Sequence, residues 1–239
     1  MRTLVVSDIH GNFPALRAVA AAERADQVLC LGDLVDYGPR PAECVGWVRA
    51  NAQATVRGNH DNAVALGVPC RSAPLYRRLS EESRRLTLPL LSDEDRSFLA
   101  GLPLRRSLTA GGLRLELIHA APDDPLYRYL LLTDRQAWER AVEDVDADVI
   151  LVGHTHFPAV LRLGRKLVVN PGSVGLPRDG DPRAGYAVLD DGEPELKRVA
   201  YPVEETLRAL WEWGVPHDVA RGLEGIYQTG APPPPGYVR

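Results

Sequence analysis

Five of the six histidines of this 239-residue chain lie in short motifs rich in Asp, Asn and Gly. Asp8 is followed by His10, and Gly32-Asp33 by Asp36. Gly58-Asn59-His60-Asp61, His119 and Gly153-His154-Thr155-His156 complete the series. In an extended segment residues i and i+2 project the same way, so Asp8 with His10, and His154 with His156, can each aim two groups at one point. Glycines 32, 58 and 153 each precede a ligand candidate, where a sharp turn and close backbone approach are wanted. Donors of this kind, oxygen and nitrogen without thiolate, suit Mn²⁺, Fe or Zn²⁺, with Mn²⁺ taken first. Seven or eight ligands exceed what one transition metal takes. They match two metals that share a bridging carboxylate, and two cations about 3.5–4 Å apart make a clamp for phosphoryl transfer.

The elements that must position these groups are read from periodicity. Leu4-Val5-Val6, Val28 to Leu31, Ala54 to Val56 and Val149 to Val152 read as short buried strands, and Leu113 to Ile118 as a half-exposed one. Each is followed by a ligand motif, and the space outside the carboxyl ends of strands is where α/β sheets place their sites. Asn12 with Pro14, and Pro41, start helices. Residues 72–100 read as a helical insert of two helices broken near Pro89. Thr133-Asp134-Arg135-Gln136 has capping-box spacing ahead of Ala137, Trp138, Ala141 and Val142. Beyond residue 156 the strands Val160 to Leu163, Leu167 to Val169, Tyr186 to Leu189 and Leu196 to Tyr201 look like a meander. A final amphipathic helix uses Val203, Leu207, Leu210 and Trp211, and the proline-rich residues 229–239 read as an extended or mobile tail. No repeat or linker divides the chain, so one domain over 1–239 is expected.

Composition narrows the function classes. A net charge of -4 and a pI of about 5.9 argue against nonspecific nucleic-acid binding. No apolar run approaches a membrane span, and the carboxylate at Asp8 comes too early for a signal peptide. Cys30, Cys44 and Cys70 lack metal spacing and are odd in number, which fits a reducing, cytoplasmic setting. The expected partner is a small phosphate ester or nucleotide, with no membrane; the oligomeric state is not readable.

Asp8-Ile9-His10, Gly32-Asp33-Leu34-Val35-Asp36, Gly58-Asn59-His60-Asp61, His119 and Gly153-His154-Thr155-His156 together resemble, in order, the five motifs of calcineurin-like metallophosphoesterases. Asn170-Pro171-Gly172-Ser173 extends the likeness. The resemblance implies a four-layer α/β/β/α sandwich. It implies one metal on Asp8, His10 and His156, a second on Asn59, His119 and His154, and Asp33 bridging them. His60 would face the substrate as a proton or hydrogen-bond donor, with Asp36 paired to it. Asp36 is followed by Tyr37 where the protein-phosphatase and bis-nucleoside-tetraphosphatase branches carry Arg, so the stretch looks more like the small prokaryotic phosphodiesterase branch. His119 is followed by Ala120 where Gly is frequent.

A phosphodiesterase is therefore the expected activity. The alternatives are a phosphomonoesterase, a dinucleoside polyphosphate hydrolase and a catalytically silent binding scaffold. Single residues carry plainer readings. Asp61 reads as a helix cap, His217 as structural or exposed, and Cys30 as core filler. Asn170 to Ser173 is equally a plain turn or a support for His154 and His156. Arg71, Arg77, Arg78, Arg84 and Arg85 read chiefly as a solvated face, with a phosphate-recognising cap as the lesser reading. Tyr127, Arg128 and Tyr129 are packing residues or, near the site, a stacking surface.

Overall fold

A computed structural model describes residues 1–233. Two five-stranded mixed sheets pack face to face. The first has the order β10-β9-β1-β2-β3, formed by β1 (Arg2–Val6), β2 (Gln27–Cys30), β3 (Ala54–Thr55), β9 (Ala184–Asp190) and β10 (Glu193–Val199). The second has the order β4-β5-β6-β8-β7, from β4 (Arg105–Ala110), β5 (Leu113–Ile118), β6 (Val149–Leu151), β7 (Ala159–Leu163) and β8 (Lys166–Asn170).

Alternation along the strands explains the layers. Val5, Leu29 and Leu31 meet Leu115, Leu117, Leu151 and Val169 between the sheets. Leu4, Val6 and Cys30 point the other way, onto α1 (Phe13–Ala22) and α2 (Pro41–Asn51), where they pack with Leu16, Val19, Val45 and Val48. On the far side Ile150 and Val168 pack on Trp138 of α6 (Arg135–Ala141). Side chains that alternate between two faces, both buried, produce this α/β/β/α sandwich.

Two helices, α4 (Pro74–Thr87) and α5 (Asp93–Gly101), occupy the 72–100 region, with a 3₁₀ turn at Leu88–Leu90 where Pro89 was expected to break the helix. Tyr76 and Leu79 of α4 are buried against α7 (Val203–Trp213) and α8 (His217–Thr229) through Leu207, Leu210, Leu223 and Ile226.

Several expectations are corrected. The four late strands do not meander. β7 and β8 form a hairpin in the second sheet, whereas β9 pairs antiparallel with β1 in the first. Local alternation specifies a strand but not its partner. β4 went unread because Arg105-Arg106-Ser107 is polar, as suits an edge strand. With β4 paired on one side and β6 on the other, β5 is buried rather than half-exposed over residues 115–118. Arg105 and Ser107 cover Glu116, which is only 6% exposed. Asp134, not Thr133, caps α6, accepting from the Ala137 N–H at 3.0 Å. Trp211 lies on the exposed side of α7, and a further helix, α8, follows it. Thr229 closes α8 rather than opening a tail. Gly230 is held by its N–H to the Ile226 carbonyl and by its own carbonyl to the Gly180 N–H, each 2.8 Å; residues 234–239 of the expected tail lie outside the described residues.

Candidate metal centre

The ligand candidates converge at the carboxyl ends of five strands. Asp8 and His10 follow β1, Asp33 follows β2, Asn59 and His60 open α3 (Asn59–Leu66) after β3, His119 follows β5, and His154 and His156 follow β6. Asp8, His10 and His156 form one group able to hold a cation, and Asp33, His119 and His154 a second. All of them except His154, which is partly exposed, are buried.

The backbone differs from the extended pairing expected. Asp8, His10, Asp33, His154 and His156 all have φ between 46° and 64°. The paired groups converge because each loop turns through left-handed residues, not because it runs straight. Such conformations cost of order 1–3 kcal/mol per non-glycine residue and persist where the surroundings over-determine them. Two glycines let the loops touch. A Cβ on Gly58 would lie 2.0 Å from Asp33 Oδ1, and one on Gly153 would lie 2.0 Å from Ser7 Oγ and 2.8 Å from Asp8 Oδ2.

Each carboxylate is half satisfied by the protein. Asp8 Oδ2 accepts from Ser7 Oγ at 2.6 Å and the His154 N–H at 3.1 Å. Its Oδ1 is buried with no hydrogen-bond partner, 3.2 Å from His156 Nε2 and 4.0 Å from His10 Nε2. Asp33 Oδ1 accepts the His60 N–H at 2.9 Å, while Oδ2 lies 3.3 Å from His119 Nε2 and 3.8 Å from His10 Nε2, between the two groups. The rings are oriented the same way. Nδ1 of His10, His119 and His156 donates to the carbonyls of Val35, Leu31 and Leu176, leaving each Nε2 turned inward. Asn59 Nδ2 donates to the Cys70 carbonyl at 2.7 Å, which directs Oδ1 to within 3.1 Å of both His119 Nε2 and His154 Nδ1. An orphaned buried carboxylate oxygen amid inward-facing imidazole nitrogens is a donor set that fits two divalent cations.

The electrostatics agree. Burial raises the pKa of Asp8, but His156 and His119 outweigh it and hold the carboxylate ionised. Asp33 is likewise held low, against burial, by His119 and His60. Burial depresses His10, His154 (to about 3) and His156 below the ordinary imidazole value. His119 is the exception. Burial lowers its pKa, but the neighbouring Asp33 carboxylate pushes it up to about 9, so a proton occupies the place a cation would take.

His60 and Asp36 lie beside the centre. His60 Nδ1 is 2.7 Å from Asp36 Oδ2. Burial would lower the ring's pKa, yet Asp33 and Asp36 keep it above the ordinary value. Tyr37 is wedged against His10 and His60, both ring centroids 4.9 Å away.

Other residues prove to matter. Asp61 does more than cap α3. Its carboxylate accepts the N–H groups of Asp33 and Leu34 at 2.8 Å and of Gly58 at 3.0 Å, tying the Asp33 loop to the Asn59 loop. Burial and Asp33 raise its pKa to about 7. Asn170 to Ser173 buttresses the ligand loops. Asn170 Nδ2 donates to the Gly153 carbonyl and Thr155 Oγ1, and Ser173 Oγ to the Asp8 carbonyl. Arg84 of α4, one of five insert arginines, pairs with Asp36 Oδ2. Arg178, which belongs to no motif, lines the metal cavity with Arg71, Tyr127 and Tyr129. Only the bias toward arginine in the insert hinted at Arg84. His217 packs on Trp211, ring centroids 5.1 Å apart, and takes no part in the site.

Residues 1–192 match the calcineurin-like phosphoesterase superfamily domain, and the chain belongs to that family. With its paired ligand groups it is a metal-dependent phosphoesterase built for a dinuclear centre. Over its length it is similar to MJ0912 of Methanocaldococcus jannaschii, at 34% identity covering 86% of this chain and 90% of that one. The phosphodiesterase YfcE of Escherichia coli is 27% identical, covering 80% of this chain and 88% of the relative. Among solved structures, a metallophosphoesterase from Sphaerobacter thermophilus superposes with a TM-score of 0.81 at 32% identity, covering 97% and 99% of the two chains. The Pyrococcus horikoshii protein PH1004 shares the fold, with a TM-score of 0.79 at 21% identity over 93% and 97%.

Proposed function

We propose that this phosphoesterase acts on phosphodiesters, with Asp8, His10, His156 and Asp33 holding one cation and Asp33, Asn59, His119 and His154 the other. The observation that carries the metal assignment is the position of Asp33 Oδ2, within 4 Å of a ring nitrogen from each ligand group. When bound, two divalent cations would supply a nucleophile at neutral pH and neutralise charge on the phosphoryl oxygens. Mn²⁺ is the first candidate, with Fe or Zn²⁺ next, because the donors are oxygen and imidazole nitrogen.

The chain's own groups do the rest. The carboxylates of Asp33 and Asp36 favour the protonated form of His60, which lines the cavity, so it serves as donor of a proton to the leaving oxygen or of a hydrogen bond to the phosphoryl group. Asp36 is a positioning residue. Its Oδ2 takes both His60 Nδ1 and Arg84, which fixes the ring's tautomer and angle. Preference for a diester is supported by a second cavity that adjoins the centre and leaves room for a second ester arm. Similarity to the phosphodiesterase YfcE supports it too. The free, buried thiols of Cys30, Cys44 and Cys70 support a reducing, cytoplasmic setting.

The test compares bis(p-nitrophenyl) phosphate with p-nitrophenyl phosphate in Mn²⁺-loaded protein. A kcat/KM at least about tenfold higher on the diester, equivalent to about 1.4 kcal/mol, is expected. A preference for the monoester would overturn the diester reading, and metal analysis after reconstitution with Mn²⁺, Fe and Zn²⁺ separates the three metals.

A further inference from the structure

The cavity that holds the ligand groups is small, about 140 Å³. That is below the range of about 300–1,000 Å³ usual for a whole small-molecule ligand. Beside it lies a cavity of about 580 Å³, and the two share Arg71, Ser72 and Ala73 as a common wall. A phosphoryl group fits the first, and a substituent of nucleotide size fits only the second.

The charge along this route is lopsided. Of the residues lining the metal cavity, Asp33 is the only carboxylate, against the guanidinium groups of Arg71 and Arg178. In the larger cavity Glu81 is the one carboxylate, against Arg71, Arg77 and Arg84. Three arginines of α4 have partners, since Arg78 pairs with Asp218, Arg84 with Asp36 and Arg85 with Glu82. Arg71, Arg77 and Arg178 have no carboxylate partner among the described residues. Two of these are nonetheless held in place. Arg71 stacks over the Tyr127 ring at 4.3 Å, and Asn62 Nδ2 donates to the Tyr127 hydroxyl at 3.1 Å. Arg178 stacks over Tyr76 at 3.9 Å, and its Nε is buried without a hydrogen-bond partner. Guanidinium groups oriented by aromatic faces, and not neutralised by acids, are preorganised for an anion.

Resting on the phosphodiesterase reading above, we propose that the larger cavity is a subsite for an anionic arm of the substrate. The preferred diester then carries a second phosphoryl group, recognised by Arg71 at the shared wall and Arg77 beyond it. Arg178 lines the metal cavity but not the larger one, so it serves the scissile group and raises affinity for either substrate.

Two esters with the same scissile bond and leaving group test this. Thymidine 5′-(p-nitrophenyl phosphate) lacks the second phosphate, and its 3′-phosphorylated form carries it. The wild-type protein is expected to favour the 3′-phosphorylated ester by about tenfold in kcat/KM, through KM, a ratio that corresponds to about 1.4 kcal/mol. In Arg71→Ala/Arg77→Ala the preference should fall below about threefold, and in the double Lys variant it should be partly retained. Rising salt should also erode it in the wild type. Equal kcat/KM for the two esters in the wild type, or a preference that survives the double Ala variant, would overturn the subsite. If neither ester is turned over, the phosphodiesterase reading fails, and calorimetry still decides the subsite. Adenosine 3′,5′-bisphosphate binding about tenfold tighter than adenosine 5′-monophosphate, with the difference lost in the double Ala variant, supports it. Equal affinities overturn it.

Discussion

Asp61→Ala should damage the centre without touching a ligand. The Asp61 carboxylate is fully buried and accepts three backbone N–H groups, those of Asp33, Leu34 and Gly58, at 2.8–3.0 Å. Truncation leaves three buried donors unpaired, each costing about 1–3 kcal/mol. Water entering the space left by the carboxylate reduces that sum, and relief of the burial and of the repulsion from Asp33 that together raise the Asp61 pKa to about 7 reduces it further. A loss of about 3–5 kcal/mol results, a large share of the roughly 5–15 kcal/mol that holds a typical domain folded. Asp61→Asn keeps one acceptor oxygen. Placed where Oδ2 sits, it still serves Asp33 and Gly58, and only the Leu34 N–H is lost, so about 1–3 kcal/mol is expected. Because Asp33 hangs on this contact, metal affinity should fall about 10–100-fold in the Ala variant. Urea unfolding of the metal-free proteins, with unchanged slopes, measures the first quantity, and metal titration measures the second. A loss below about 1 kcal/mol for Asp61→Ala, with both metals retained, would refute the claim that this carboxylate joins the two ligand loops.

Gly153→Ala should drive a methyl into Ser7 Oγ and Asp8 Oδ2 and displace Asp8, so that metal analysis finds the Asp8–His10–His156 group depleted before its neighbour. His60→Ala should lower kcat by about 10²–10⁴ with bound metal nearly unchanged, and wild-type kcat in that variant would exclude the donor role. In metal-free protein followed by NMR, Asp36→Asn should lower the raised His60 pKa, because one of the two carboxylates responsible is gone. The His119 pKa of about 9 has a sign that can be checked. Protonated His119 beside Asp33 stabilises the metal-free fold fully below the unfolded value of about 6.5, and this stabilisation is lost as the pH rises through about 9. Metal must displace the same proton, so affinity should rise with pH over that window with proton release, as calorimetry in buffers of different ionisation enthalpy would show.

The sequence by itself determined the identities of the ligands and the elements that carry them. Asp8, Asp33, Asn59, His119 and His154 were legible because each follows a short apolar run, and burial and strand hydrogen bonding act over a few residues. Gly58 and Gly153 were legible for the same local reason: a missing Cβ marks a close approach even when the approaching group is unknown. Tertiary structure alone decided which groups share a partner. The left-handed turns at Asp8, His10, His154 and His156 follow from packing of loops brought from both sheets, and so differ from the straight segments that spacing suggested. Asp61 shows its second role only when the backbone of residues 33 and 34 is brought to it, and Arg84 reaches Asp36 only because α7 and α8 hold α4 in place. Arg178 carries no sequence signal at all, since its place in the metal cavity, stacked on Tyr76 and without a carboxylate partner among the described residues, is set by the fold. Hydrophobic period and turn chemistry are properties of neighbours along the chain. Partner choice and uncompensated charge are properties of neighbours in space, fixed only when segments distant along the chain are packed together.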